Sequence, residues 1–161
     1  MGTVFRFAGF TDLSERDFSQ AMSSATNSLH KADAVFSLYK EHSPLSQLAR
    51  GETSVAASPA VVDQVWSLCE QWEKTTDGWF CAFTPDRTFD PSGLVKTWAA
   101  DYAASKLLNA GISDFTMNAG GDVWISHSAS GEHDFLVGIG KPVSIASDEA
   151  GTLTVLDLAG T

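Results

Sequence analysis

The order of helical and strand patterns along the chain is the feature that most constrains its fold. Apolar residues recur at helical spacing in three long segments, which begin near residues 14, 58 and 92. Four other segments have patterns typical of β-strands: 4–10, 114–127, 135–140 and 152–160. We therefore expect an α+β fold, in which helices pack on a mostly antiparallel sheet.

Length, composition and charge limit the class of protein. The chain has 161 residues, so we expect residues 1–161 to form a single domain. A net charge of -10 and the lack of any lysine-arginine cluster argue against nucleic-acid binding and against attraction to anionic membranes. We find no export signal and no apolar stretch long enough to form a transmembrane segment, so the sequence as given predicts a cytoplasmic protein.

The first helix is expected to begin at Ser14, because Asp17 lies three residues on, at the spacing of a capping box. Four residues at helical spacing should face the core: Phe18, Met22, Ala25 and Leu29. Residues 34–39 are expected to form a short strand or extended piece. Residues 43–51 are expected to form a turn and one helical turn that ends at Gly51.

Residues 58–78 have the strongest boundary signals in the chain. Ser58 is expected to cap the helix, Pro59 to be its first residue and Gly78 to end it. Five residues are expected to form its buried stripe: Val61, Val62, Val65, Cys69 and Trp72. Because Cys69 lies on this face, packing is its expected role.

The segment DPSGLVK, residues 90–96, begins the third helix and has two interpretations. If a helix begins near Ser92, its first N–H groups are unpaired and its dipole is positive at that end. Gly93 would let the backbone approach a ligand closely, and Lys96 would place a positive charge about one turn into the helix. Such a turn could hold a phosphate group. Asp90 could accept a hydrogen bond from a ligand, or the whole segment could be an ordinary capped helix. The helix is expected to end at Gly111, with these residues inward: Val95, Trp98, Ala99, Tyr102 and Leu107.

The segment NAGGDV, residues 118–123, is a second candidate site. Gly120 and Gly121 permit positive φ and remove side-chain bulk, so a planar or phosphorylated ligand could rest against the backbone. Asn118 and Asp122 would supply polar atoms beside it. The alternative is a β-hairpin turn, for which this composition is typical.

Three aromatic residues are ambiguous. Trp79 and Phe80 follow a helix stop, and they could stack on a flat heteroaromatic ligand or pack in the core; Tyr39 has the same two interpretations. The four histidines lack metal-ligand spacing, and no serine lies in a nucleophile elbow. Hydrolase functions are therefore disfavoured.

Taken together and in order, these motifs resemble the ApbE family of FAD:protein FMN transferases. The resemblance includes the opening MGTVFRF, FSLYKEHSPLSQLARG, TDGWF, DPSGLVKTWAADYAASKLL, NAGGDVWIS and VGIGKP. It implies a Mg²⁺-dependent enzyme that cleaves FAD and attaches FMN to a threonine or serine of a target flavoprotein, with release of AMP. The alternative is a catalytically incomplete module of the same fold that binds FAD or its flavin end.

The resemblance also implies which residues form the site, although it assigns no catalytic residue. Gly93 matches a position whose backbone carbonyl ligates Mg²⁺. The positions that match the FAD site are Met1, Tyr39, Trp79, Phe80, Asp90, Lys96, Asn118, Gly120, Gly121 and Asp122.

Family members usually continue beyond the point that matches Thr161, into a segment that supplies side-chain ligands of the metal. We therefore expect this chain to lack the C-terminal part of the domain and to be a poor transferase. Relatives are often membrane-anchored lipoproteins that face the periplasm or cell exterior, whereas no lipoprotein-type cysteine lies near the start of this sequence.

Overall fold

The computed structural model of the protein describes residues 2–126, 136–140 and 151–157. Its elements, in chain order, are β1 (Phe5–Phe10), α1 (Glu15–Phe36), α2 (Pro44–Ala49), a short 3-10 helix (Val55–Ala57), α3 (Ala60–Thr75), α4 (Ser92–Asn109), β2 (Asp114–Ala119), β3 (Asp122–Ser126), β4 (Leu136–Gly140) and β5 (Thr152–Asp157). Among the described helices, none combines the length and hydropathy needed to cross a bilayer.

The described strands form two antiparallel sheets. One has the order β1-β2-β3, with Phe5 opposite Ala119 and Ala119 opposite Asp122 at the end near the β2–β3 turn. The other is the ribbon of β4 and β5. Helices combined with antiparallel sheets confirm the expected α+β fold. That residues 1–161 form a single domain stays a prediction.

Helix α4 lies between two cores. In the first, α4 packs on α1 and β2 through mostly small side chains, which let the two helices approach closely; its members include Ala25, Ala103, Ala104, Leu107 and Met117. The second core contains Phe36 from the end of α1, Val62 and Val65 from α3, and Val95 from the start of α4. Trp98 packs against both cores. The first turn of α4 is therefore held from several sides.

Several predicted boundaries are confirmed. The Ser14 side chain caps α1 by accepting a hydrogen bond from the Asp17 N–H at 3.2 Å. Gly51, Gly78 and Gly111 follow α2, α3 and α4 with φ of +71°, +82° and +87°, which is the left-handed backbone that ends helices. The Gly-Gly pair joins β2 and β3, and the predicted strands at 135–140 and 152–160 are present in their described parts.

Two predictions of local structure were wrong. Residues 34–36 continue α1 instead of forming a strand, because the longer helix carries Phe36 into the second core. Ser58 does not cap α3, since its hydroxyl donates to the carbonyl of Ser54 at 2.9 Å and Pro59 occupies the N-cap position.

Three aromatic side chains predicted to face inward are instead exposed. Phe18 is 40% exposed, and Trp72 and Tyr102 are each 47% exposed. In α4 the centre of the buried face is taken by alanines, so the Tyr102 ring lies at its flank, stacked on Trp98 with Lys106 Nζ 4.4 Å from its centre. Helical spacing locates the apolar face but not its edge.

Candidate functional site

A cavity of about 550 Å³ lies at the start of α4. Its lining comes from Gly2, from the end of α1 and the segment that follows it, and from the entrance and first turns of α4: Phe36, Ser37, Leu38, Tyr39, Asp90, Ser92, Val95 and Lys96. The structure thus brings together Tyr39, Asp90 and Lys96, three of the positions predicted from the sequence. Met1, also predicted, lies outside the described residues.

Asp90 caps α4 and also lines the cavity. Its Oδ1 accepts a hydrogen bond from the Ser92 N–H at 3.0 Å and another from the Ser92 hydroxyl. Pro91, at the N-cap position, makes no side-chain cap. The Asp90 backbone N–H donates to the carbonyl of Ala82 at 2.8 Å, which fixes the entrance to the helix. The capping interpretation of Asp90 is therefore confirmed.

The predicted aromatic residues differ in their environment. Tyr39 is 95% exposed and Trp79 is 94% exposed, so neither packs in a core. Phe80 is partly buried against the second core. A Cβ on Gly93 would lie 3.4 Å from Phe80 Cε2, so the Phe80 ring covers the first turn of α4. Tyr39 and Trp79 remain available for contact with a ligand, whereas Phe80 supports the helix start.

The Gly-Gly segment is a tight β-hairpin turn, as the structural interpretation of NAGGDV predicted. Gly120 and Gly121 have φ of +60° and +103°, values that favour glycine. The Gly121 N–H donates to Asn118 Oδ1 at 3.0 Å, and the Gly120 N–H donates to the carbonyl of Val4 at 3.2 Å. A Cβ on Gly120 would collide with Thr3 Oγ1, so the space beside this glycine is already filled.

An ion pair joins the two motifs. Lys96 Nζ lies 3.0 Å from Asp122 Oδ2, and the two side chains are 34% and 48% exposed. Because Asp122 is the first residue of β3, the pair connects the hairpin to α4. Both residues were predicted site residues, but their contact was not predicted. The two lie 26 positions apart in the sequence, and no sequence pattern indicates which residues at such a separation will come into contact.

Mg²⁺ could take ligands from the described residues, through their side chains or through the Gly93 carbonyl. Among them there is no group of three or more histidine, cysteine, aspartate or glutamate side chains that could hold a metal ion. Gly93 could offer only its backbone carbonyl, whereas Mg²⁺ prefers near-octahedral coordination by oxygen. Metal binding at Gly93 therefore stays a prediction.

Thiol chemistry at Cys69 is disfavoured. Burial raises the pKa of the Cys69 thiol to about 11, because the charged thiolate would lose its hydration there. Cys69 lies in the second core, so the prediction that it packs there is confirmed.

A larger concavity, of about 980 Å³, lies at the end of α3 and in the loop that follows. Its lining includes Glu70, Glu73 and Asp77 together with Lys74 and Arg87. Three carboxylates disfavour a ligand that carries a pyrophosphate. We therefore regard the smaller cavity, where a helix start and a lysine meet, as the candidate site.

Comparisons with known proteins agree with the fold. A sequence model of the ApbE family matches residues 81–161. The structure is similar to the flavin transferase ApbE from Vibrio cholerae, with a TM-score of 0.75 and 17% identity over 96% of this chain and 65% of that chain. A mutant form of the same protein gives a TM-score of 0.72 and 17% identity over 88% of this chain and 65% of that chain. No curated protein matches the sequence. The chain thus spans about 65% of the length of these structures, and the likeness shows a shared fold.

Proposed function

The chain belongs to the ApbE family, and we propose that it binds FAD in the cavity at the start of α4 and takes part in transferring the FMN half to a target flavoprotein. The observation that carries this proposal is the convergence of Tyr39, Asp90 and Lys96 on one cavity at a helix N-terminus. Tyr39 offers a ring to the flavin and Lys96 a cation to the pyrophosphate, while Asp90 shapes the helix start and could accept a hydrogen bond from a ligand hydroxyl or amide.

The start of α4 suits the pyrophosphate. The Ser92 N–H is paired with Asp90, and the Leu94 and Val95 N–H groups donate to the Pro91 carbonyl. The helix start therefore attracts anions through the positive end of its dipole, and the first turn of α4 contains no acidic residue. Lys96 adds a full positive charge one turn into the helix. This local attraction can offset the repulsion expected from a protein of net charge -10.

The exposed aromatic residues suit the flavin ring. Tyr39 lines the cavity although 95% of its surface is exposed, so its ring can cover a bound ligand without disturbing a core. Stacking of the Tyr39 ring on a flat heteroaromatic ligand would remove apolar surface of both rings from water, which stabilises the complex. Trp79 precedes Phe80, which covers Gly93, so it also lies near the start of α4.

The transfer would exchange the phosphoanhydride linkage of the pyrophosphate for a phosphate ester linkage. The hydroxyl oxygen of a threonine or serine in the target bonds to the phosphorus of the FMN half, the bond from that phosphorus to the AMP oxygen breaks, and the hydroxyl proton passes to the surrounding solution. AMP leaves with the bridging oxygen. The chain's own residues would contribute by binding and orienting FAD, which supplies much of the rate in phosphoryl transfer. Mg²⁺ would stabilise the charge of the pyrophosphate, and Gly93 could offer its backbone carbonyl; among the described residues there is no group of three or more His, Cys, Asp or Glu side chains to hold the ion.

A second candidate function is FAD binding without transfer. It is favoured by the lack, among the described residues, of an acidic cluster that could hold a metal. An assay of FMN transfer to a target flavoprotein, with FAD and Mg²⁺, separates the two functions. Flavin that stays on the target after denaturation supports transfer, and binding without any attached flavin supports the second function.

The first test of the proposal is a comparison of FAD with riboflavin in the presence of Mg²⁺. We expect FAD to bind more tightly, because only FAD offers phosphates to the helix start and to Lys96. Quenching of flavin fluorescence during titration measures both affinities. Equal affinities would contradict the proposed placement of the pyrophosphate.

A further inference from the structure

The ion pair between the hairpin and α4 assigns a role to Asp122. We propose that Asp122 is a positioning residue, which holds the ammonium group of Lys96 at the cavity so that it can meet the phosphates of the ligand. This inference rests on the proposed function and changes the role expected for Asp122, from a wall of the FAD site to a residue that acts through Lys96.

The ion pair restricts where the Lys96 ammonium lies. A lysine ammonium sits on a flexible four-carbon stem, and holding it in one place reduces its conformational entropy. Asp122 Oδ2 lies 3.0 Å from Lys96 Nζ, so the attraction between opposite charges favours this position of the ammonium. The ammonium has three N–H donors, so it can meet phosphate oxygens while it stays beside Asp122.

The hairpin fixes Asp122 from both sides. The turn before it is held by the hydrogen bonds from Gly121 to Asn118 and from Gly120 to Val4. Thr3 fills the space beside Gly120, and Asp122 is paired across the sheet with Ala119. The position of the carboxylate is therefore set by backbone geometry. The two glycines allow a turn tight enough to direct Asp122 toward α4.

A direct contact between Asp122 and the phosphates is disfavoured. Two negative groups at hydrogen-bond distance would repel each other, whereas contact through the Lys96 ammonium places a positive charge between them. The pair is partly exposed, so it contributes little to folding stability. These facts favour a role in ligand binding over a role in holding the fold.

The test compares two substitutions of Asp122 in the 161-residue protein. Asp122→Ala removes both the charge and the hydrogen-bond acceptor, and we expect FAD affinity to fall about two- to fivefold with riboflavin affinity unchanged. Asp122→Asn keeps an oxygen that can accept from Lys96 and should restore most of the FAD affinity. Asp101→Ala is the matched control, because Asp101 also joins α4 to β3, through Trp124 Nε1 at 3.4 Å.

A double-substitution cycle shows whether Asp122 acts through Lys96. If it does, the Asp122→Ala, Lys96→Ala protein binds FAD no more weakly than Lys96→Ala alone. Additive losses would overturn the inference, because Asp122 would then contact the ligand independently. Tighter FAD binding by Asp122→Ala would also overturn it, because Asp122 would then compete with the phosphates for Lys96.

A readout without flavin separates this inference from the proposed function. Acetylation of Lys96 by a small reagent, followed by mass spectrometry, should be faster in Asp122→Ala than in the unsubstituted protein, with Asp122→Asn and Asp101→Ala unchanged. Failure of the unsubstituted protein to bind flavin would refute the proposed function, and faster acetylation would still support the positioning of Lys96 by Asp122. Equal acetylation rates in all four proteins would refute the positioning role.

Discussion

Helices α3 and α4 begin with the same local pattern but end up in different surroundings. Each follows a polar residue and a proline, Ser58-Pro59 before α3 and Asp90-Pro91 before α4. In both, the proline occupies the N-cap position and the cap residue makes no side-chain hydrogen bond. The residues that precede the two helices therefore do not distinguish their capacity to bind an anion.

The two starts differ in what surrounds them. Asp90 reaches past Pro91 to the Ser92 N–H, whereas the Ser58 hydroxyl turns back to the carbonyl of Ser54. The first turn of α3 contains Asp63, and the first turn of α4 contains no acidic residue. The fifth residue of α4, Lys96, pairs with Asp122 of β3, whereas the fifth residue of α3 is Gln64. The comparison indicates that a helix start becomes a candidate site when its own sequence supplies a cation and distant elements supply a cavity and a partner for that cation.

The largest difference is expected from the fifth residue of each helix. Lys96→Ala should weaken FAD binding by about 1.5–3 kcal/mol, or about 10- to 150-fold, because a charge-assisted contact to phosphate is lost. Gln64→Ala is the matched control and should leave binding unchanged. Fluorescence titration measures both, and thermal unfolding should show nearly the same Tm for all three proteins. A normal affinity with a much lower Tm would show that Lys96 is structural.

A smaller difference is expected in stability, from the residue before each proline. Asp90→Ala should lower the free energy of unfolding by about 1 kcal/mol, because the Ser92 N–H loses its acceptor. For a chain of this size, that corresponds to a Tm lower by about 2–4 °C. Ser58→Ala should change stability by less than about 0.5 kcal/mol, since Ser58 does not cap α3. Equal losses, measured by chemical denaturation, would contradict the difference between the two starts.

The smallest effect is expected when the lysine is copied to the other helix. Gln64→Lys places a cation at the same position of α3. We expect no measurable gain in FAD affinity, because the Asp63 carboxylate in that first turn would repel the doubly charged pyrophosphate and the candidate cavity lies at the start of α4 instead. Titration with FAD in the absence of Mg²⁺ gives the most sensitive comparison. A second FAD site in Gln64→Lys would show that a helix start and a lysine are sufficient without the cavity.

Much of the fold could be predicted from the sequence. The helix cap at Ser14 and the helix ends at Gly51, Gly78 and Gly111 are predicted by local signals, and the structure confirms all four. The errors at residues 34–36 and at Ser58 arose where tertiary contacts or a neighbouring turn competed with a local preference. Helical periodicity predicts that Trp72 and Tyr102 face inward, but both are exposed, because periodicity does not define the width of a buried face.

Capping, glycine backbone freedom and apolar spacing act over a few residues, so the sequence was sufficient to predict most of the elements, the tight Gly-Gly turn and the chemistry available at each motif. The cavity that Tyr39, Asp90 and Lys96 share, and the contact of Asp122 with Lys96, arise from tertiary packing. Tertiary packing also decided that Thr3 fills the space beside Gly120. These contacts depend on how α1, α4 and the β1-β2-β3 sheet pack together. Packing of this kind is set by the fit of whole faces rather than by any short segment.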